Sequence, residues 1–110
     1  MSTDPLTFEV IELRESARVR LRVRGELDLA TADVLADRLR DLRDRNATVL
    51  LDLDELEFID ASGLRVILRA ASDARRDGWA LTLTSGSARV RRLCRLLDVE
   101  QDLPLDGGTS

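Results

Sequence analysis

The chain has no histidine and no lysine, and a single cysteine, Cys94. Without histidine there is no Ser-His-Asp or Cys-His nucleophile and no zinc site of the usual Cys/His type. One thiol cannot close an internal disulfide. No apolar run approaches the roughly 20 residues that span a bilayer. Met1-Ser2-Thr3-Asp4-Pro5 lacks the pattern of a secretory signal, so a cytoplasmic protein with no membrane span is expected. All 17 basic residues are arginine, which reads as codon bias rather than a binding feature.

What is present fits one ordinary soluble domain. A chain of 110 residues can bury roughly 65% of its unfolded surface, enough for a core without staples. Hydrophobic content of 44% beside 35% charged residues points to a globular protein rather than a disordered one. The formal net charge of −4 argues against nucleic-acid binding by the domain as a whole.

Periodicity sets the element order. Leu6 to Leu13 alternates, with Leu6, Phe8 and Val10 on one face, and predicts a first strand. Arg18 to Arg24 alternates strictly, placing Val19, Leu21 and Val23 on the core side and four arginines outside. Those arginines read as a solvated face paired with acidic neighbours. Glu15-Ser16-Ala17 is a hairpin connection, and Gly25-Glu26-Leu27-Asp28 is expected to break the second strand. Thr31 is the expected cap of a helix carrying Ala32, Leu35, Leu39 and Leu42 inward, with Arg40–Asp44 and Asp41–Arg45 as outer pairs and Asn46 as its stop.

Thr48 to Leu53 is almost continuously apolar, as in a central strand covered on both faces. The acidic stretch Asp54-Glu55-Leu56-Glu57 separates it from Phe58-Ile59-Asp60. A helix from about Gly63 to Asp77 follows, with Gly78 as its stop. Trp79 to Thr84 is a further strand, and Ser85-Gly86-Ser87 opens a last helix with Val90, Leu93, Cys94 and Leu97 inward. Its outer face is basic through Arg89, Arg91, Arg92 and Arg95, without the aromatic or amide side chains that read bases. Leu103-Pro104-Leu105 reads as a short edge strand. The order β-β-α-β-α-β-α, with a terminal β, predicts an α/β fold: a small mixed sheet with helices packed against it. One domain over 1–105 and a flexible tail over 106–110 are expected.

Two segments stand out. Gly25-Glu26-Leu27-Asp28 and Asp60-Ala61-Ser62-Gly63-Leu64 lie about 30 residues apart, each at a strand-to-helix junction. The second gathers a carboxylate, a hydroxyl and free backbone N–H groups at a helix N-terminus. Together the two segments resemble the G-E-L-D and D-S-[ST]-G-L segments of STAS domains, specifically the single-domain anti-sigma factor antagonists of bacteria. The resemblance covers roughly Leu6 to Leu97.

The resemblance implies a binding protein rather than an enzyme, with no cofactor. It implies that the two loops meet at one end of the sheet and dock an anti-sigma factor that is also a serine kinase of the histidine-kinase-like ATPase class. Glu26, Asp28, Asp60, Ala61, Ser62, Gly63, Leu64 and Arg65 are the partner-binding residues so implied. The unphosphorylated antagonist then frees a sigma factor by partner switching, and phosphorylation releases the partner, because a phosphoryl group adds charge and bulk to the interface.

At the family's acceptor position, directly after the aspartate, this chain has Ala61, which carries no hydroxyl. Three readings stay open: Ser62 is the acceptor one residue along, the protein is an antagonist that its kinase cannot switch off, or the domain only docks. Ser62 also reads as the helix N-cap, and Asp60 as a carboxylate that binds backbone N–H groups in the turn. A STAS subunit of a lipid-transport ABC complex is the alternative function. Longer family members carry a C-terminal helix here replaced by Pro104 and a Gly-rich tail. The apolar face thereby opened near Leu97 and Val99 makes a monomer or weak homodimer the expected state.

Overall fold

Two antiparallel strands, β1 (Phe8–Glu15) and β2 (Arg18–Leu27), open the fold and are joined by Ser16 and Ala17 alone. The computed structural model describes residues 8–106, so Leu6 and residues 107–110 of the expected tail lie outside it. From β2 the chain crosses through α1 (Ala32–Asp44) to β3 (Val49–Ile59), and from there through α2 (Ala61–Asp77) to β4 (Leu81–Leu83). Both crossovers return parallel strands, giving one mixed sheet in the order β1-β2-β3-β4. Helix α3 (Ala88–Leu96) follows, then a single 3-10 turn at Glu100–Asp102. The expected order of elements is the observed one. The anticipated terminal strand is reduced to one parallel bridge between Leu83 and Leu105.

The core lies between the sheet and the helices. Leu21, Val23 and Leu51 from the strands are fully buried against Leu35, Leu42 and Ile67 from α1 and α2. Each such side chain contributes about 1.5–3 kcal/mol on leaving water. Ala32, Leu35, Leu39 and Leu42 are the buried stripe of α1, as their spacing predicts. In α3 only Val90 and Cys94 are buried; Leu97, expected in that stripe, is 49% exposed. Burial first, and then the charge of Glu100, push the Cys94 thiol up, as befits a small core residue.

Two strands run longer than their sequence implies. Gly25-Glu26-Leu27-Asp28 does not break β2. Gly25 takes φ 91°, a conformation open to glycine, at an irregularity in the ladder, and pairing resumes at Glu26↔Phe58 and Leu27↔Ile59. Likewise Asp54-Glu55-Leu56-Glu57 is part of β3 rather than a connection, because Leu56 is buried and Glu55 pairs outward with Arg24 at 2.8 Å. Conversely, of Trp79–Thr84 only Leu81–Leu83 is strand; Trp79 is buried and its indole N–H donates to the Ala47 carbonyl at 2.8 Å. On α1 the Asp41–Arg45 pair forms at 2.7 Å, whereas Arg40 pairs with Asp37 instead of Asp44.

The arginine row of β2 is a paired face, as expected, with one buried member that alternation does not reveal. Asp52 on β3 is 4% exposed and accepts from Arg20 at 3.0 Å and Arg22 at 3.4 Å. Glu15 binds Arg18 and Arg20 at the same edge. Burial disfavours the Asp52 charge, but the Asp54 N–H and the guanidinium groups of Arg20 and Arg22 outweigh it and hold the carboxyl below its ordinary value. The four arginine stems form the polar covering of a sheet face.

Candidate functional site

The carboxyl ends of β2 and β3 bring the two singled-out segments together, where loops of a parallel sheet commonly form sites. Leu27 and Ile59 are register partners, and the Asp60 N–H donates to the Leu27 carbonyl at 3.2 Å. Beyond that contact the chain turns into α1 from one strand and α2 from the other.

In the first loop Asp28 does the capping. Its Oδ1 accepts from the Ala30 N–H at 3.0 Å and the Thr31 N–H at 3.2 Å, and its carbonyl accepts from the Ala32 N–H at 2.8 Å. Thr31 precedes α1 but makes no side-chain cap. Its hydroxyl turns back, donating to the Glu26 carbonyl and accepting from the Asp28 N–H, both at 2.9 Å. The expectation of a Thr31 cap is thus corrected: the aspartate three residues earlier outcompetes it by closing an Asx-type turn. Asp28 is half-buried and committed to this loop, while Glu26 is exposed.

In the second loop α2 begins at Ala61, two residues before the expected start at Gly63. Asp60 is its N-cap, extended in backbone and accepting from the Gly63 N–H at 3.0 Å. Ser62 therefore takes no part in the cap, which removes the structural role that its sequence position offered. Ala61 is exposed, while Ser62 is half-buried and lines the groove between α1 and α2. Gly63 and Leu64 are buried, and Arg65 is exposed. Gly63 lies so close to Leu27 that the junction of the two loops has no room for a side chain at this position.

Of the eight residues singled out, Glu26, Ala61 and Arg65 are exposed, and Asp28, Asp60 and Ser62 are half-buried. Gly63 and Leu64 shape the surface from beneath. Two residues on this surface escaped sequence reasoning. Leu29, just after the first loop, is 77% exposed, and Phe58, the register partner of Glu26, is 43% exposed. Their signal was faint: one apolar residue among acids in a loop, and an aromatic at a strand end. Leu29 lines the groove between α1 and α2, whereas Phe58 lies on β3 opposite Glu26; each is an exposed apolar side chain of a kind that suits binding to protein. No group of three or more His, Cys, Asp or Glu among the described residues is placed to hold a metal ion.

Fold and site together define a small mixed α/β domain in which two loops are joined at the carboxyl ends of β2 and β3. The chain belongs to the STAS domain family, which matches residues 10–107. A relative, the anti-sigma-B factor antagonist of Bacillus subtilis, is 28% identical over 75 residues, covering 68% of this chain and 69% of the relative. The fold is similar to that of an anti-sigma factor antagonist from Mycobacterium paratuberculosis, with TM-score 0.81 and 17% identity over 98% of this chain and 92% of that one. It is also similar to the phosphorylated form of the Bacillus cell fate determinant SpoIIAA, with TM-score 0.65 and 19% identity over 87% of each chain. The last two likenesses are likenesses of fold. No helix among the described residues is long and apolar enough to cross a membrane.

Proposed function

We propose that this chain is an anti-sigma factor antagonist: a cytoplasmic binding protein, without catalytic activity of its own, that captures an anti-sigma factor and so frees a sigma factor. The observation that carries the reading is the joining of the two motif loops at the ends of β2 and β3 by the Asp60–Leu27 hydrogen bond, with Glu26, Ala61, Leu29 and Phe58 exposed at or next to those loops. The relationship to the anti-sigma-B factor antagonist of Bacillus subtilis supports it.

The partner is an anti-sigma factor of the serine-kinase type with a histidine-kinase-like ATPase fold. Its docking covers the exposed apolar side chains Leu29 and Phe58, while Glu26, Asp28, Asp60 and Arg65 set orientation. Gly63 and Leu64 support the shape, and the chain acts as a monomer or weak homodimer.

Regulation turns on the first turn of α2. Ala61 is its exposed residue and carries no hydroxyl, whereas Ser62 faces the groove between the helices. That placement favours an antagonist that its kinase does not switch off. Were Ser62 the acceptor, its oxygen would bond to the γ-phosphorus of ATP as ADP leaves and the hydroxyl proton passes to a base on the kinase. The product would carry about 1.5–2 negative charges beside Asp60, enough to oppose docking.

Capture from the source cell's lysate with the tagged chain, followed by mass spectrometry, tests the reading. Recovery of a histidine-kinase-like ATPase from wild type, lost with Leu29→Asp and Phe58→Asp, is the expected result. Recovery of transporter ATPase subunits instead moves the chain to the lipid-transport class.

A further inference from the structure

Helices α1 and α2 leave between them an open groove of about 350 Å³. Leu29, Ala36 and Val66 make its apolar wall, Trp79 closes its floor, and Ser62 stands at one end. Its charges are unevenly answered. On the α1 side Arg43 is neutralised by Asp73 at 3.1 Å and Arg40 by Asp37 at 3.1 Å. On the α2 side Arg65 and Arg69 are one turn apart on one face. Among the described residues neither has a carboxylate within 4.0 Å. In a protein of net charge −4, whose β2 arginines are all paired, two free guanidinium groups beside an apolar trough are a local reversal of sign.

We propose that this groove docks an acidic amphipathic segment of a protein partner. An apolar side chain of the segment enters between Leu29, Ala36 and Val66. Two carboxylates spaced by one helical turn bind Arg65 and Arg69, whose planar forks suit them. A nucleotide is the less fitting occupant. Trp79 is 6% exposed and its indole N–H is already bonded to Ala47, so the groove offers no aromatic face for a base. The groove shares Leu29, Ser62 and Arg65 with the surface read above as the docking site, so the proposal extends that reading. The peptide test nevertheless needs no anti-sigma factor, and its outcome is separate from that of the capture experiment.

The test uses the full chain and a synthetic helical peptide with leucines along one side and glutamates one turn apart beside them. Trp79 is the only tryptophan and borders the groove, so its fluorescence reports occupancy directly. A saturable change is expected with the wild type, weakened roughly tenfold or more in the Arg65→Glu/Arg69→Glu variant and by added salt. The Arg92→Glu/Arg95→Glu variant, altered on exposed arginines of α3, is expected to bind as the wild type does. Equal weakening in both variants would reduce the effect to net charge and overturn the proposal. So would absence of saturable binding, or a response to ATP but none to the peptide. Because all four positions are exposed, circular dichroism is expected to show each variant folded, and Arg65→Ala/Arg69→Ala repeats the test without charge reversal.

Discussion

Gly63 presses directly against Leu27. A β-carbon built on Gly63 would lie 2.6 Å from Leu27 Cγ and 2.8 Å from the Leu27 carbonyl oxygen. That same carbonyl accepts the Asp60 N–H. The contact packs the end of β2 against the start of α2 and with it sets the relative position of the two motif loops.

Gly63→Ala therefore has to push β2 and α2 apart or break the Asp60–Leu27 hydrogen bond. A loss of about 2–4 kcal/mol is expected, because the obstacle includes backbone and not only a flexible side-chain end. Urea unfolding monitored by circular dichroism measures it. A loss below about 0.5 kcal/mol would show that the junction yields.

Asp60→Ala removes the N-cap of α2 and leaves the Gly63 N–H without its acceptor. The expected cost is about 1 kcal/mol, most of it recovered in Asp60→Asn. Thermal unfolding of the three proteins checks the ranking. If Asp60→Asn loses as much as Asp60→Ala, the side chain acts through its charge rather than as a cap.

Ser62→Ala is expected to change stability by less than about 0.5 kcal/mol, since Asp60 already caps the helix. Ala61→Ser places a hydroxyl on the exposed side of the same turn. With a cognate kinase and ATP, intact-mass measurement is expected to show phosphate on the Ala61→Ser variant and none on the wild type. A wild-type mass shift that disappears in Ser62→Ala would instead make Ser62 the acceptor and the antagonist switchable.

Asp52 links stability to acid. Its folded carboxyl titrates below the ordinary value of about 3.8, so it contributes stability above that pH and loses it as pH falls through the folded value. Glu15 shifts in the same direction, chiefly through its hydrogen bond from Arg20. Unfolding temperature is thus expected to drop as pH goes below about 4. Asp52→Asn is expected to cost about 1–3 kcal/mol at neutral pH and to flatten the acid limb. An unchanged acid limb in that variant would assign the effect to other carboxylates.

Much of the architecture was legible before any coordinates. The alternation over Arg18–Arg24, the apolar run over Val49–Leu53 and the spacing of Leu35, Leu39 and Leu42 are local patterns, and local patterns report which face an element buries. The boundaries were less legible. Gly25 and the acidic Asp54–Glu57 look like interruptions because glycine and charge favour turns. The ladder between β2 and β3 overrode that preference by burying Leu56 and pairing Glu55 with Arg24.

At the site the division is sharper. The sequence by itself determined the two motifs, their place at strand-to-helix junctions and the missing hydroxyl at Ala61, all consequences of residue type and order. Only the tertiary structure decided that Asp60 rather than Ser62 caps α2, and that Asp28 rather than Thr31 serves α1. It alone exposed Leu29 and Phe58 and buried Asp52 between two arginines. Capping depends on the direction in which each strand delivers the chain to its helix, and exposure depends on what neighbouring elements cover. Both are set by contacts between residues about 30 or more positions apart, such as Leu27 with Gly63 and Arg20 with Asp52, which no local window contains.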